Sequence, residues 1–473
     1  MRRLLEACKP AFNRVARWSP ASIYFGLALT IGLCLCFVTP PGMVPDESGH
    51  FLRAFEVSEG GLISTKFNDR ITGAMLPKSL EKSVLAVMGS MPFNPNNKFK
   101  FETLHTWLNT PLHADDRAMT RIPQALYNPL VYFPAAIGIR VARIFADSPI
   151  LLLWAGRVAT CLATVLLLTA AIAVAPVHRY VLAALAFMPS VLFQGASVSA
   201  DAVTFGLCFL FIAVCWRYTA DVQARFDKKS AALLILTAVG ACLAKQAYFL
   251  LLLLLPLIPC RFYGGSMRKK WLATGLIAGI GLAAPAAWTT AVLPIRIPAR
   301  FDILVDAKAQ LAFVVADPWR FLVTVWNTVR ANEQFYLDTT VGRSLSWWDL
   351  ILPSHFIAAV WRNIIFFALF DGIATIRISW VDKTVQLLIA ASLLVFIEFA
   401  QYLSWNPVGS GYIDGPVGRY FVPFVPLIFF VLYNSRVGPK VQAQRWLAPV
   451  LLLHCLYVGV LLLRFEIVRF YGL

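Results

Sequence analysis

Two carboxylates stand side by side in PDESGHFLRAFE, residues 45–56, with His50 four residues after Asp46 and Arg53 six after Glu47. On a helix these side chains could share one surface. Such an acidic pair can take a proton from a hydroxyl, hold a divalent cation through hard oxygen ligands, or open a helix, whose N-terminus favours negative charge. Pro45 disfavours continuing the helix before it, which suits the last reading. Three further segments set ionisable groups between apolar runs. SVSAD at 197–201 ends in Asp201, a second site carboxylate or another helix start. LAKQAY at 243–248 contains Lys245, whose ammonium can pair with an acid, bind a phosphate or snorkel to an interface. GYIDGPVGRYFVP at 411–423 brings Arg419 and Tyr420 out of an irregular Gly/Pro stretch. A guanidinium offers a planar fork matched to phosphate oxygens, and both residues can also anchor a helix at an interface. Arg157 lies inside an apolar run, where a charge is costly. Trp347 and Trp348 suit either an interfacial belt or a face on which a sugar stacks.

The elements that position these groups follow from composition. Of 473 residues, 59% are hydrophobic and only 14% charged, against about 25% in soluble domains. Such a chain cannot cover a folded surface with polar groups, which excludes a soluble enzyme, a disordered chain and a disulfide scaffold. It reads as an all-α polytopic membrane protein. The 42 Lys and Arg against 25 Asp and Glu leave a net charge of +17. These basic residues are scattered between apolar runs rather than gathered in a basic domain, so the charge follows loop topology and not nucleic acid. The nine cysteines include no CxxC pair, which gives neither a disulfide framework nor a zinc site.

Arg2, Arg3, Lys9, Arg14 and Arg17 precede an apolar run from Pro20 to Thr39, read as a retained first span with the N-terminus in the cytoplasm. Further spans are expected near 150–175, 180–198, 202–216, 231–243, 246–260, 271–293, 355–370, 384–402, 420–433 and 446–463, about eleven in all. The short basic connections, with residues such as Lys228, Lys229, Arg268, Lys269, Lys270, Arg436 and Lys440, then all fall on one side. The opposite side receives a large helical first loop at 40–149, a second at 294–354 and a smaller one near 403–419. The segment 126–145 is apolar enough to span, but counting it would invert every later loop; it reads as an amphipathic helix in the outer interface. Asp46, Glu47, Asp201, Lys245 and Arg419 then map to one membrane face. They sit at span ends under a large loop, whereas a transporter places its charges at mid-span.

The pieces VPDESGHFLRAFEVSEG, YNPLVYFP, SVSADA, LAKQAYF, SWWDLILP and GPVGRYFVPFVPL occur in this order from about residue 40 to 430. In order and spacing they resemble the GT-C superfamily of membrane glycosyltransferases. The details look closest to a bacterial branch catalogued as domain-of-unknown-function family two-one-four-two. The resemblance implies a GT-C-like bundle in the bacterial inner membrane with its site facing the periplasm. It also implies inverting transfer of a sugar from a polyprenyl-phosphate donor to a periplasmic glycan or glycolipid acceptor, as in modification of a surface polysaccharide. Asp46 would be the base, with Glu47 as an alternative base or a metal ligand. Arg419, Lys245 and Arg157 would face the phosphate; Asp201 would orient the site or help Glu47 hold Mg²⁺ or Mn²⁺, and a metal-free site stays open. His50, Arg53, Tyr420 and Asn128 complete the substrate-binding set, Asn128 standing where relatives often carry a basic residue. Two other classes compete: a lipid-linked glycan polymerase or ligase, and a non-catalytic polyprenyl-lipid transporter.

The topology is directly testable. Reporter fusions at Ser230 and Ser266 are expected to report cytoplasm, and fusions at Asn96 and Val341 periplasm. A reporter at Ser266 found outside would overturn the side assignment of Asp201 and Lys245.

Overall fold

The computed structural model describes residues 15–298, 304–437 and 444–473. Arg2, Arg3, Lys9, Arg14 and Lys440, used above, and one of the nine cysteines, Cys8, lie outside them. Among the described residues the fold is mostly helical, with few strands. The first helix, α1 (Pro20–Val38), starts where Ser19 accepts a hydrogen bond from Ser22 N at 3.0 Å and Pro20 fills the first position. It ends before Pro40-Pro41, where the chain turns sharply. Then follow α2 (Glu47–Ser58), β1 (Thr65–Lys66), β2 (Thr72–Pro77), α3 (Lys78–Met88), α4 (Phe101–Leu108), β3 (Arg117–Arg121), α5 (Phe133–Ala142) and α6 (Pro149–Val174). The middle of the chain forms α7 (Arg179–Ala186), α8 (Pro189–Gly195), α9 (Ala200–Ala220), α10 (Lys228–Ala244) and α11 (Met267–Val292). Next come α12 (Ala307–Ala316), α13 (Pro318–Ala331), α14 (Glu333–Val341), the hairpin β4 (Ser344–Leu345) and β5 (Leu350–Ile351), α15 (Ser354–Phe370), α16 (Trp380–Trp405), α17 (Val425–Phe430) and α18 (Gln444–Tyr471).

Six of these helices, α1, α6, α9, α11, α16 and α18, are long and apolar enough to cross a bilayer. The other expected spans coincide with shorter helical segments. The run 180–198 is broken into α7 and α8, because Pro189 cannot continue a helix and restricts the residue before it. The run 246–260 is a 3₁₀ helix over Gln246–Leu257 rather than an α-helix. The run 420–433 begins as two 3₁₀ turns before α17.

The first loop differs from its expected all-helical character. β1, β2 and β3 form a three-stranded antiparallel sheet, with Gly73 opposite both Thr65 and Arg121. Thr65–Lys66, Thr72–Pro77 and Arg117–Arg121 pair as strands beside the helices α2, α3 and α4. The 126–145 segment is a 3₁₀ turn followed by α5, which is too short to cross. Phe133, Ile137 and Val141 are exposed, while Ala135, Ala136 and Ile139 are buried. Gly138 lets α5 approach α6 closely: a Cβ there would lie 2.5 Å from Ala155 O.

At its far end α18 fastens three parts of the loop side. Arg469 forms a buried ion pair with Asp349 at 2.8 Å, at the tip of the β4–β5 hairpin. The same guanidinium donates to the carbonyls of Met91, Asn94 and Asn97 in the first loop. Thr39, just past α1, donates to Glu466 at 2.6 Å. Eight cysteines among the described residues are all free.

Candidate functional site

The site is assembled at the end of α1. Asp46 occupies the position before α2, but it does not cap that helix. Its backbone is left-handed (φ 67°) and its side chain makes no capping bond. Asp and Asn tolerate this region better than other non-glycine residues. The carboxylate instead accepts a hydrogen bond from Arg419 Nη2 at 3.0 Å, and the side chain is 47% exposed. Arg419 reaches Asp201 as well, Nε to Oδ2 at 3.3 Å. Asp201 in turn pairs with Lys245. Four residues from four parts of the chain thus form one alternating row of charges.

Each member is held by its element. Ser199 caps α9 by accepting from Asp201 N, which sets Asp201 in the first turn. Lys245 ends α10, and its ammonium lies 4.8 Å from the Tyr420 ring centre and 5.7 Å from that of Tyr127. Burial pulls this ammonium down, but Asp201 and the nearby phenols push its pKa up overall. Arg419 depends on Gly418. A Cβ at Gly418 would lie 2.1 Å from Thr340 N, so only glycine lets this turn lie against α14. Gly418 N donates to Thr339 Oγ1 and its carbonyl accepts from Thr340 Oγ1.

Glu47 does something different from its neighbour. It and Arg157 are fully buried, joined by Nε to Oε1 at 2.7 Å and Nη2 to Oε2 at 2.5 Å. Glu47 also accepts from Gly42 N and Val198 N. Arg157 donates onward to the carbonyls of Cys36, Thr39 and Pro40. Both oxygens of Glu47 are therefore committed, and Nε, Nη1 and Nη2 of Arg157 are all engaged by Glu47 and these carbonyls. This corrects Glu47 as base or metal ligand and Arg157 as a phosphate contact. The expected divalent cation does not fit either. Asp201 is already held by two cations, and among the described residues no group of three or more His, Cys, Asp or Glu could hold a metal.

Three other expected contacts are also relocated. Arg53 is buried in the first loop, paired with Glu56 at 2.5 Å and bonded to the carbonyls of Gly61 and Leu62. Asn128 accepts from Leu130 N and so starts the 3₁₀ turn before α5. His50 lies on α2 with Nδ1 2.7 Å from Tyr132 Oη. Burial overcomes the nearby carboxylates and lowers its pKa to about 4, which leaves a neutral imidazole at pH 7. None of these three lines the cavity described next.

Beside the charge row is a cavity of about 270 Å³. Asp46, Arg419 and Tyr420 line it, together with Trp347, Trp348, Trp405 and Phe93. Among the described residues, six non-glycine residues have positive φ: Asp46, Phe93, His113, His178, Ser346 and Trp348. Four of these, Asp46, Phe93, Ser346 and Trp348, line this cavity. Backbone strain of this kind concentrates at functional sites. Trp405 and Ser346 were not singled out from the sequence; a single Trp at a helix end and a Ser in a hairpin carry no spacing signal.

Fold and site together define a multi-pass helical membrane protein with a polar, aromatic-walled cavity at the loop end of its bundle. The chain belongs to the family described as "Predicted membrane protein (DUF2142)", whose model matches residues 29–428. That span includes Asp46, Asp201, Lys245 and Arg419. No curated protein and no solved structure matches the chain.

The division of labour between the adjacent carboxylates is testable. Glu47→Gln leaves the Arg157 charge buried without its counterion, a loss of roughly 3–5 kcal/mol. The variant is expected to accumulate poorly and to melt at lower temperature in detergent, whereas Asp46→Asn keeps the wild-type melting temperature. Equal stability of the two variants would overturn the structural role of Glu47.

Proposed function

We propose that this protein is an inverting glycosyltransferase of the GT-C type, which uses a polyprenyl-phosphate-linked sugar and acts on a glycan or glycolipid acceptor on the periplasmic side of the bacterial inner membrane. The observation that carries this reading is Asp46. It is a half-exposed carboxylate on a cavity wall, freed from capping by a left-handed backbone and held by Arg419. A carboxylate so placed suits a general base, and the guanidinium beside it suits a phosphate leaving group.

In this mechanism an acceptor hydroxyl enters the cavity and passes its proton to Asp46. Its oxygen forms a bond to the anomeric carbon from the face opposite the phosphate. The bond from that carbon to the phosphate oxygen breaks, and the electron pair leaves with the polyprenyl phosphate. Arg419 and Lys245 stabilise the charge that develops there, and Asp201 keeps both cations oriented. Displacement from the opposite face inverts the anomeric configuration.

Asp46→Asn is the decisive variant. Asn also tolerates the left-handed backbone, so the protein stays folded and inserted while the proton acceptor is lost. Transfer, read as modification of surface glycan at normal membrane levels of the variant, is expected to fall by roughly a hundredfold or more. Near-wild-type modification would overturn the reading.

A further inference from the structure

The cavity wall has a second chemistry beyond the base and its guanidinium. Asp46 and Arg419 are the only charged side chains among the described residues that line it, and they are paired with each other. The rest of the wall combines broad aromatic faces with small hydrogen-bonding groups: Ser190, Gln194, Thr339, Ser344 and Ser346.

The tryptophans are fixed in place from behind. Trp348 is 46% exposed and stacks on Phe335, with centroids 5.6 Å apart and planes at 28°. Trp347 turns its indole N–H inward, to Gly42 O at 3.0 Å. Trp405 packs against Gly415, where φ is +111° and a Cβ would lie 3.0 Å from the ring. An interfacial belt needs none of this. Ser346 and Trp348 both hold strained left-handed backbones, which a lipid-facing anchor has no reason to maintain. Ser346 Oγ is the sharper sign. The residue is 4% exposed and lines the cavity, yet its hydroxyl has no hydrogen-bond partner among the described residues. A buried hydroxyl facing acyl chains would stay unsatisfied at a cost. One facing a hydroxylated ligand would not.

We propose that this cavity is a subsite for one uncharged pyranose ring, which lays an apolar face on Trp348 and offers its hydroxyls to Ser346 and the Gln194 amide. This rests on the glycosyltransferase reading and deepens it by naming the sugar class. An aromatic face matches the C–H face of a pyranose, and the ring edge carries hydroxyls that both donate and accept. A carboxylated or aminated sugar would add a charge to a wall whose one cation, Arg419, is assigned to the phosphate and whose one anion, Asp46, is assigned to the acceptor proton, so nothing on the wall is left to balance it. The pyranose is either the transferred sugar or the terminal ring of the acceptor; both present the same chemistry here.

The test is ligand-observed NMR titration of the full chain in lipid nanodiscs. The probes are the methyl glycosides of glucose, galactose and mannose, with methyl glucuronide and methyl glucosaminide as charged counterparts. At least one neutral glycoside is expected to bind, and its charged counterparts about tenfold more weakly. Trp348→Ala is expected to weaken that binding by about tenfold, and Trp348→Phe only slightly. Ser346→Ala is expected to weaken it by a few fold. Failure of every neutral glycoside to bind, equal binding of charged ones, or an unchanged affinity in Trp348→Ala would overturn the subsite. A prior load of polyprenyl-phosphate hexose blocks the probe if the subsite takes the transferred sugar, and leaves it bound if the subsite takes the acceptor. Asp46→Asn separates this proposal from the reading beneath it. Probe binding with unimpaired transfer in that variant sinks the catalytic assignment alone; loss of transfer with no probe binding in any form sinks the subsite alone.

Discussion

The buried pair of Glu47 and Arg157 organises everything around it. A helix leaves its last carbonyls without partners, and at the end of α1 those of Cys36, Thr39 and Pro40 meet the Arg157 guanidinium. That guanidinium is buried within α6, so its charge demands a counterion, and Glu47 at the start of α2 supplies it. Glu47 also takes the N–H groups of Gly42 and Val198. One ion pair therefore joins the exit of α1, the entry of α2, the middle of the bundle and the link between α8 and α9. Asp46 is the residue immediately before this anchor. Its backbone is left-handed, and its carboxylate accepts from Arg419.

The row Lys245, Asp201, Arg419, Asp46 has a consequence of its own. Alternating charges neutralise one another pairwise, which lets four ionisable groups sit at the edge of an apolar bundle. The row is also asymmetric in exposure. Asp201 is buried among its partners, while Asp46 at the cavity end is half exposed. The most exposed carboxylate of the row is thus the outermost one, and it is reached through Arg419 from the buried Asp201.

The strained backbones at Asp46, Phe93, Ser346 and Trp348 come from separate loops that converge on one cavity. Each such conformation costs on the order of 1–3 kcal/mol and persists only where the surroundings enforce it. The enforcement is visible. Arg469 ties the hairpin tip to the end of α18 and to the first loop, and Phe93 packs edge-on against Trp347 at 5.5 Å. The cavity is therefore held open by long-range contacts rather than by any local sequence preference.

Much was legible in the sequence, and the limit is physical. Hydropathy placed α1, α6, α9, α11, α16 and α18, because a bilayer demands long apolar runs whatever the tertiary arrangement. Asp46, Asp201, Lys245 and Arg419 stood out because charges at the ends of apolar runs are costly and therefore rare. Which of two neighbouring carboxylates would be buried could not be read, since Asp46 and Glu47 have the same chemistry and differ only in what faces them. The same holds for Arg157 and Arg53, each of which joins a carboxylate partner to backbone carbonyls that no side-chain pattern records. The break at Pro189, inside a run read as one span, the 3₁₀ winding after Lys245 and the sheet of β1 to β3 were not read from the sequence. Local composition determined where the chain could meet lipid and where charge had to be answered. Tertiary structure alone decided which charge answered which, because pairing depends on distance in space and the partners are up to hundreds of residues apart along the chain.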